Sequence, residues 1–513
     1  MIRSLAQRDP LNRNANLGGG PGRDNVTLMP SIAAFFFIAL PWLNPWAPGP
    51  SSAVMPWVLT LVSFAFVLLV APRVRLAEVA PAAWLFAALL SSLLGLLQYF
   101  GATAALGAWV NSTGIGEAYA NLRQRNQFAT LTNIGLAVLL WWGVKQPLAR
   151  AWLVAAAVLL ALGNATSSSR TGLLQLGVLV ALVWLWRRND SGQQRPAIGP
   201  LAVLTIAVLT YGLGAWALPF LAHLDPNATG IFARLQADSP SCASRLTLWG
   251  NVLHLIAQKP MWGWGWGELD YAHFITLYPG ARFCEILDNA HNLPLHLAVE
   301  LGVPLALTIC GVGVWALWRA QPWRETNATR QMAWAVLAVI LTHSLLEYPL
   351  WYGPFQVAFG LCLWLLWRTP KSPLLVRRAS IWAMALALSL VVFSGYVAWD
   401  YQRISQPFRV PDQRWETYRA DPLAQIGDSW LFQGQLRFAE LTTTTLTPDN
   451  AAQQHALALT TLHFSPEPRV IELLIESAEL LGHHDDALFY RARYQAAFST
   501  AYAAWVTRNS KSK

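Results

Sequence analysis

Apolar stretches long enough to cross a bilayer recur along this 513-residue chain. A helix of about 20 residues spans the roughly 30 Å hydrocarbon layer, and it satisfies its own backbone there. About eleven such stretches are readable: 30–45, 55–71, 80–99, 127–143, 149–165, 170–186, 199–221, 293–318, 330–349, 353–367 and 381–399. They predict an all-α polytopic membrane protein of about 11 transmembrane helices. Composition agrees, since only 12% of residues are charged, against about 25% in a typical soluble domain. A soluble enzyme, a disordered chain and a collagen-like chain are all excluded. The 27 Trp, many near the ends of apolar runs, fit membrane interfaces.

Basic residues then orient the spans. The polar start, 1–29, holds Arg3, Arg8, Arg13 and Arg23, and every second loop after it is basic. Those loops carry Arg73 and Arg75; Lys145 and Arg150; Arg187, Arg188 and Arg195; Arg319, Arg324 and Arg330; and Arg368, Lys371, Arg377 and Arg378. Positive loops face the cytoplasm. The net charge of +9 is therefore read as a topology signal, with no nucleic-acid partner. Residues 1–29 become a cytoplasmic tail and 30–399 the membrane domain. Two segments fall outside: a long loop at 222–292 and a helical soluble domain at 400–513. Within the latter, Arg469 to Leu481, a Gly-His-His-Asp-Asp turn at 482–486 and Ala487 to Trp505 resemble a tetratricopeptide-type pair. A small helical cap without repeats fits the same pattern equally well.

Cys310 and Cys362 fall within spans, where they pack as small apolar groups. Cys242 and Cys284 share the outer loop. An oxidising compartment favours a disulfide between them, but sequence leaves open whether their Cα atoms approach.

Arginines at the outer ends of spans run against the charge rule and need a reason. Arg170 opens the sixth span in Asn-Ala-Thr-Ser-Ser-Ser-Arg-Thr-Gly, 164–172. Arg245 lies in Cys-Ala-Ser-Arg-Leu-Thr-Leu-Trp-Gly, 242–250. Arg123 and Arg125 lie in Asn-Leu-Arg-Gln-Arg-Asn-Gln-Phe, 121–128. A guanidinium matches phosphate oxygens bidentately, so a converging set would hold a phosphate or pyrophosphate head group. One arginine alone would simply snorkel to lipid phosphates. His291 sits with Asn292 where the long loop enters the eighth span, in Asp-Asn-Ala-His-Asn-Leu-Pro-Leu-His-Leu-Ala-Val-Glu-Leu-Gly, 288–302. Histidine is the usual general base near neutral pH, although a lone interfacial histidine is commonly structural. Glu300 follows on the same span, where a carboxylate is costly. His343 and Glu347, four residues apart at the outer end of the ninth span, either pair with each other or use Glu347 to orient a base or a sugar hydroxyl. Loop 46–54 has no Asp or Glu, and no outer Asp-x-Asp is present. Phosphate charge is therefore expected to meet arginine, with no metal and no cofactor.

These ordered motifs, together with Pro-Met-Trp-Gly-Trp-Gly-Trp-Gly at 260–267, resemble the O-antigen ligase / O-antigen polymerase superfamily over about residues 120–365. The soluble tail is similar to that of the pilin-glycosylating branch, the bacterial protein O-oligosaccharyltransferases. The resemblance implies a multi-pass inner-membrane enzyme whose site faces the periplasm. It implies transfer of a glycan from undecaprenyl pyrophosphate to an acceptor hydroxyl. Arg170 and Arg245 would bind the pyrophosphate and His291 would act near the acceptor, with Arg123 and Arg125 in a looser donor role. A pilin-like protein, lipid A-core or another glycan repeat would be the acceptor. A polytopic lipid transporter is the main alternative of another class, but transporters show inverted repeats and polar residues at mid-membrane. A non-enzymatic scaffold would leave the arginines unexplained.

Overall fold

The computed structural model describes residues 22–145, 149–187, 198–236, 241–367 and 373–511. Arg3, Arg8, Arg13, Arg188, Arg195, Arg368 and Lys371 lie outside them, as do the side chains of Arg23, Arg377 and Arg378. Among the described residues there are helices and no strands. In chain order they are α1 (Gly22–Leu43), α2 (Val54–Val70), α3 (Leu76–Tyr99), α4 (Arg125–Lys145), α5 (Arg150–Ser167), α6 (Arg170–Arg187) and α7 (Pro200–Leu221). Next come α8 (Gly230–Gln236), α9 (Arg245–Gln258), α10 (Leu269–Ile275), α11 (Leu293–Leu301), α12 (Val303–Ala320), α13 (Ala328–Ser344), α14 (Gly353–Trp367) and α15 (Pro373–Ile404). The tail holds α16 (Pro422–Ile426), α17 (Gln433–Thr443), α18 (Ala451–Leu462), α19 (Pro468–Leu480), α20 (His484–Ala497) and α21 (Ser499–Lys511).

Seven of these segments are long and apolar enough to cross a membrane: α2, α3, α4, α5, α7, α12 and the Ile381–Ile404 part of α15. Shorter apolar helices cover Leu28–Leu43 and Gly353–Trp367. The other two expected segments are helical but more polar: α6 begins and ends on arginine, and α13 carries Arg330 and Gln331 in its first turn. The chain is a membrane-integral protein whose described residues fold into helices and connecting turns.

Contacts divide the chain into two compact units. In the first, α4 is the central helix. It packs against α3, α5, α6 and α13, and every residue from Gln127 to Gly143 is buried. Its polar residues are buried with the apolar ones, so each needs a hydrogen-bond partner. Asn133 donates to the carbonyl of Gly172 (3.0 Å) and to Gln175 Oε1 (3.1 Å). Gln175 donates to Thr130 Oγ1 at 2.8 Å. These bonds tie α4 to α6 in the bilayer, where hydrophobicity alone does not discriminate between helix neighbours.

The second unit contains α9–α12 and the tail from Val397 onward. Here the structure corrects one expectation. The stretch 293–318 is not one span, because Gly302 (φ 86°) breaks it into α11 and α12. The break is enforced by backbone contact. The amide of Trp264 donates to Val299 O (2.8 Å), that of Gly265 to Glu300 O (3.0 Å), and that of Val303 to Pro260 O (2.8 Å). A Cβ on Gly302 would sit 2.2 Å from Met261 O, and one on Gly263 would sit 2.3 Å from Glu300 O. The Trp-Gly motif and the Glu-Leu-Gly motif are thus one backbone-to-backbone junction. Glu300 lies on α11 before the candidate span rather than within it.

The tail also differs from a free-standing domain. Phe274 of α10 lies in the same apolar cluster as Leu474, Tyr494 and Trp505, His463 stacks on Tyr271 with ring centroids 3.7 Å apart, and its Nδ1 is 2.7 Å from Glu268. The long loop and the tail share a core. The expected helix from Ala487 to Trp505 is broken near Phe498 into α20 and α21. The structure joins Cys242 to Cys284 as a disulfide, with Cα atoms 5.3 Å apart. It links positions 42 apart in sequence, in a segment that contributes Leu248, Val252 and Phe283 to one apolar core. In unreduced, denatured protein a maleimide should label Cys310 and Cys362 only; labelling of Cys242 or Cys284 would show that the bond does not form.

Candidate active site

In the first unit the turn before α4 divides its residues between two tasks. Arg123 takes a left-handed backbone (φ 60°), a conformation costing a non-glycine residue roughly 1–2 kcal/mol. Arg123 Nη2 donates to Pro45 O at 2.6 Å, and Arg125 pairs with Glu117. The alternate residues point to another partner: Gln124 Nε2 and Asn126 Nδ2 donate to the two oxygens of Glu347 at 3.3 and 3.2 Å. Asn126 also accepts from Ser169 Oγ at 2.6 Å. The Arg-Gln-Arg-Asn motif and the Ser-Ser-Ser-Arg motif therefore meet. His343 is buried with its Nδ1 2.9 Å from Thr130 Oγ1, and Thr130 donates to Asn126 O.

Arg123, Gln124, Arg125, Asn126 and Glu117 line a cavity of about 300 Å³ together with Arg234 of α8. Arg170, at the start of α6, donates to the carbonyl of Arg234, whose own Nη1 donates to Ser168 O at 2.9 Å. Ser168 is left-handed as well (φ 49°). Burial first, then the like charges of Arg125 and Arg170, push the Arg234 guanidinium below its ordinary pKa, against the pull of Glu117. Four arginines thus share one region with two carboxylates, Glu117 and the Glu347 held by Gln124 and Asn126. That excess of positive charge suits a polyanion of diphosphate size.

The second unit carries the other expected residues. Arg245 is the first residue of α9, which Ser244 caps by accepting from the Thr247 amide at 3.1 Å. Buried Leu248, Val252 and Leu255 recur down one face of α9 while Arg245 stays exposed. His291 is left-handed (φ 49°) and its amide donates to Asn289 Oδ1 at 2.9 Å. Asn292 caps α11 by accepting from the Leu295 amide at 3.1 Å, which fixes the backbone where His291 is displayed. Asp288 lies near His291, and partial desolvation raises the Asp288 pKa against the opposing influence of that neighbour. His296 is buried, with Nε2 3.5 Å from Glu300 and Nδ1 facing the Ala290 amide. Burial lowers His296 to about 4 and raises Glu300 to about 7, so His296 is uncharged at physiological pH and the contact is not an ion pair. His296 anchors α11 while His291 remains half-exposed.

A family profile described as O-antigen ligase matches residues 155–310. One described as protein glycosylation ligase matches residues 118–142. A third, virulence factor membrane-bound polymerase, C-terminal, matches residues 331–513. In sequence the chain is similar to the O-antigen ligases and O-oligosaccharyltransferases. It is similar to a general O-oligosaccharyltransferase of Acinetobacter baylyi, 26% identical over 60% of this chain and 55% of that one. It is also similar to a ComP-specific O-oligosaccharyltransferase of the same organism, 26% identical over 55% of this chain and 50% of the other. The match thus spans about half the length of these relatives. The ligase match contains Arg170, Arg234, Arg245 and His291, and the glycosylation-ligase match contains Arg123 and Arg125.

Sequence reasoning missed Arg234, Glu117 and Asp288 as site residues. Arg234 sits in Ile-Phe-Ala-Arg-Leu-Gln, 231–236, a seven-residue helix whose buried Ile231 and Ala233 give too short a period to stand out. Its signal is the one applied to Arg170: an arginine in a segment expected outside.

Burial raises Asp270 to about 7, helped by Asp288 and Glu268. An acid whose pKa is higher in the folded state loses stability as pH rises from its unfolded value near 4 through its folded value, here about 7. Asp270→Asn should therefore raise thermal stability at pH 8 and leave it unchanged near pH 4. An equal shift at both pH values in a melting series would contradict this.

Proposed function

We propose that this chain transfers a glycan from undecaprenyl pyrophosphate to a Ser or Thr hydroxyl of a pilin-like or other periplasmic protein. The observation that carries the reading is the arginine-lined cavity at the head of α4, with Arg170 of α6 bonded to the carbonyl of its lining residue Arg234. Polyprenyl pyrophosphate is a good leaving group and needs its developing charge stabilised more than it needs a proton. Arg170 and Arg245 supply that stabilisation, with Arg123, Arg125 and Arg234 neutralising the remaining charge. His291 accepts the hydroxyl proton as the acceptor oxygen attacks. The anomeric carbon–oxygen bond to the pyrophosphate breaks as the new glycosidic bond forms, so an in-line displacement inverts the anomeric centre. Glu347, held by Gln124 and Asn126, orients a sugar hydroxyl. The apolar helices supply a groove for the prenyl tail. The reading includes about eleven spans with residue 513 in the periplasm of an inner-membrane protein.

The O-antigen ligase match over residues 155–310 favours a second reading, with lipid A-core as acceptor. Glycoproteomics of a deletion strain beside its lipopolysaccharide ladder separates the two. Loss of glycopeptides with an unchanged ladder supports the protein acceptor, and a truncated ladder with intact glycopeptides overturns it. Since arginine takes the place of a metal in this mechanism, transfer should persist in EDTA. Loss of transfer restored by Mg²⁺ or Mn²⁺ would overturn that part.

A further inference from the structure

The Gly-His-His-Asp-Asp turn has no part in the proposed transfer, yet it makes a donor cluster. His483 and Asp486, at the head of α20, meet His455 of α18, and one ligand atom from each of the three lies within 4.8 Å of the other two. His455 is buried, and the other two are exposed. The His455 ring is also held by a hydroxyl. Its Nδ1 is 3.1 Å from Ser477 Oγ, and Ser477 donates its own proton to Leu474 O at 3.1 Å. The hydroxyl therefore accepts from Nδ1–H, which leaves Nε2 as the unprotonated ring nitrogen. A hydrogen bond that fixes the tautomer of a histidine in this way is the usual support behind a metal-ligating imidazole.

We propose that His455, His483 and Asp486 bind a divalent transition-metal ion of the zinc class, which ties α18 to the turn between α19 and α20. Two imidazoles and one carboxylate suit Zn²⁺ better than Ca²⁺ or Mg²⁺, which prefer all-oxygen sites. Tetrahedral ligands at about 2.0–2.1 Å from zinc stand about 3.3 Å apart. The exposed side chains of His483 and Asp486 need only small rotations to close from their present separation. A helix N-terminus ordinarily repels a cation, and here Asp485 and Asp486 in the first turn of α20 offset it. Three protein ligands leave a fourth, solvent-facing position for water. The ion would staple the hairpin at the same turn that packs α19 against α20.

The test uses the full chain, purified in detergent without a histidine tag, loaded with Zn²⁺, desalted and assayed for metal. Wild type should retain one equivalent. His483→Gln and Asp486→Asn, both on the surface, should lose it, as should His455→Ala. His484→Ala, the neighbouring residue outside the cluster, should keep it. Co²⁺ substituted at the site should give the intense visible absorption of a tetrahedral ion in wild type and not in His483→Gln. Zn²⁺ should also raise the melting midpoint of wild type and leave that of His483→Gln unchanged. Equal zinc in wild type, His483→Gln and Asp486→Asn would overturn the site, as would loss of zinc in His484→Ala to the same extent. None of these readouts involves glycan donor or acceptor, so the site stands or falls separately from the transfer reaction.

Discussion

Arg170→Ala and Arg245→Ala are each expected to lower transfer by at least about 10²–10³-fold, the usual cost of deleting one preorganised donor to a developing negative charge. Expression and helicity should persist. Arg170 is exposed at the first turn of α6 and Arg245 at the first turn of α9, so neither truncation opens a core. Lysine should rescue poorly, since a point charge does not reproduce a bidentate fork. Arg234→Ala tests the cavity more sharply. Its guanidinium feels the like charges of Arg125 and Arg170 ahead of the opposing pull of Glu117. A purely structural Arg234 would leave the apparent donor KM unchanged. A donor-binding one should raise it. Single-turnover assays over a donor titration read the difference.

His291 carries the second large effect. A general base contributes about 10²–10⁴-fold in rate, so its loss should remove most transfer while the arginines still hold donor. The left-handed backbone at His291 decides which variant is informative. Alanine pays for that conformation, whereas asparagine tolerates it. His291→Asn should therefore fold like wild type, keep donor binding and lose turnover. A His291→Asn protein with unchanged melting and near-normal turnover would remove the base assignment. His296 is the control. It is buried against Glu300, so His296→Ala should lower stability before it lowers turnover.

Much of this was legible in the sequence because membrane burial leaves a coarse signature. Apolar length marks helices whatever their partners, and the disfavoured positions of Arg123, Arg125 and Arg170 singled them out before any neighbour was known. The rest depends on approach between distant segments. Gly302 reads as one more small residue in an apolar run, and only the close passage of Met261 and Gly263 shows that it ends a helix. Spacing left Glu347 either pairing with His343 or orienting a base or a sugar hydroxyl; it could not show that the carboxylate accepts from Gln124 and Asn126, more than 200 positions earlier. The same holds for Phe274, which joins the core of the tail although its own segment carries no helical period long enough to announce it. Arg234 was hidden for the same reason.

The central claim is that this chain moves a whole glycan from a polyprenyl pyrophosphate to a protein hydroxyl. The direct measurement is reconstitution: purified chain in liposomes with an undecaprenyl-pyrophosphate-linked glycan and a pilin-like acceptor, followed by peptide mass spectrometry and analysis of the lipid product. The account predicts a glycan on Ser or Thr of the acceptor, one undecaprenyl pyrophosphate released per glycan attached, and neither product with Arg170→Ala. Donor consumed into a longer lipid-linked polymer, with the acceptor unmodified, would contradict it.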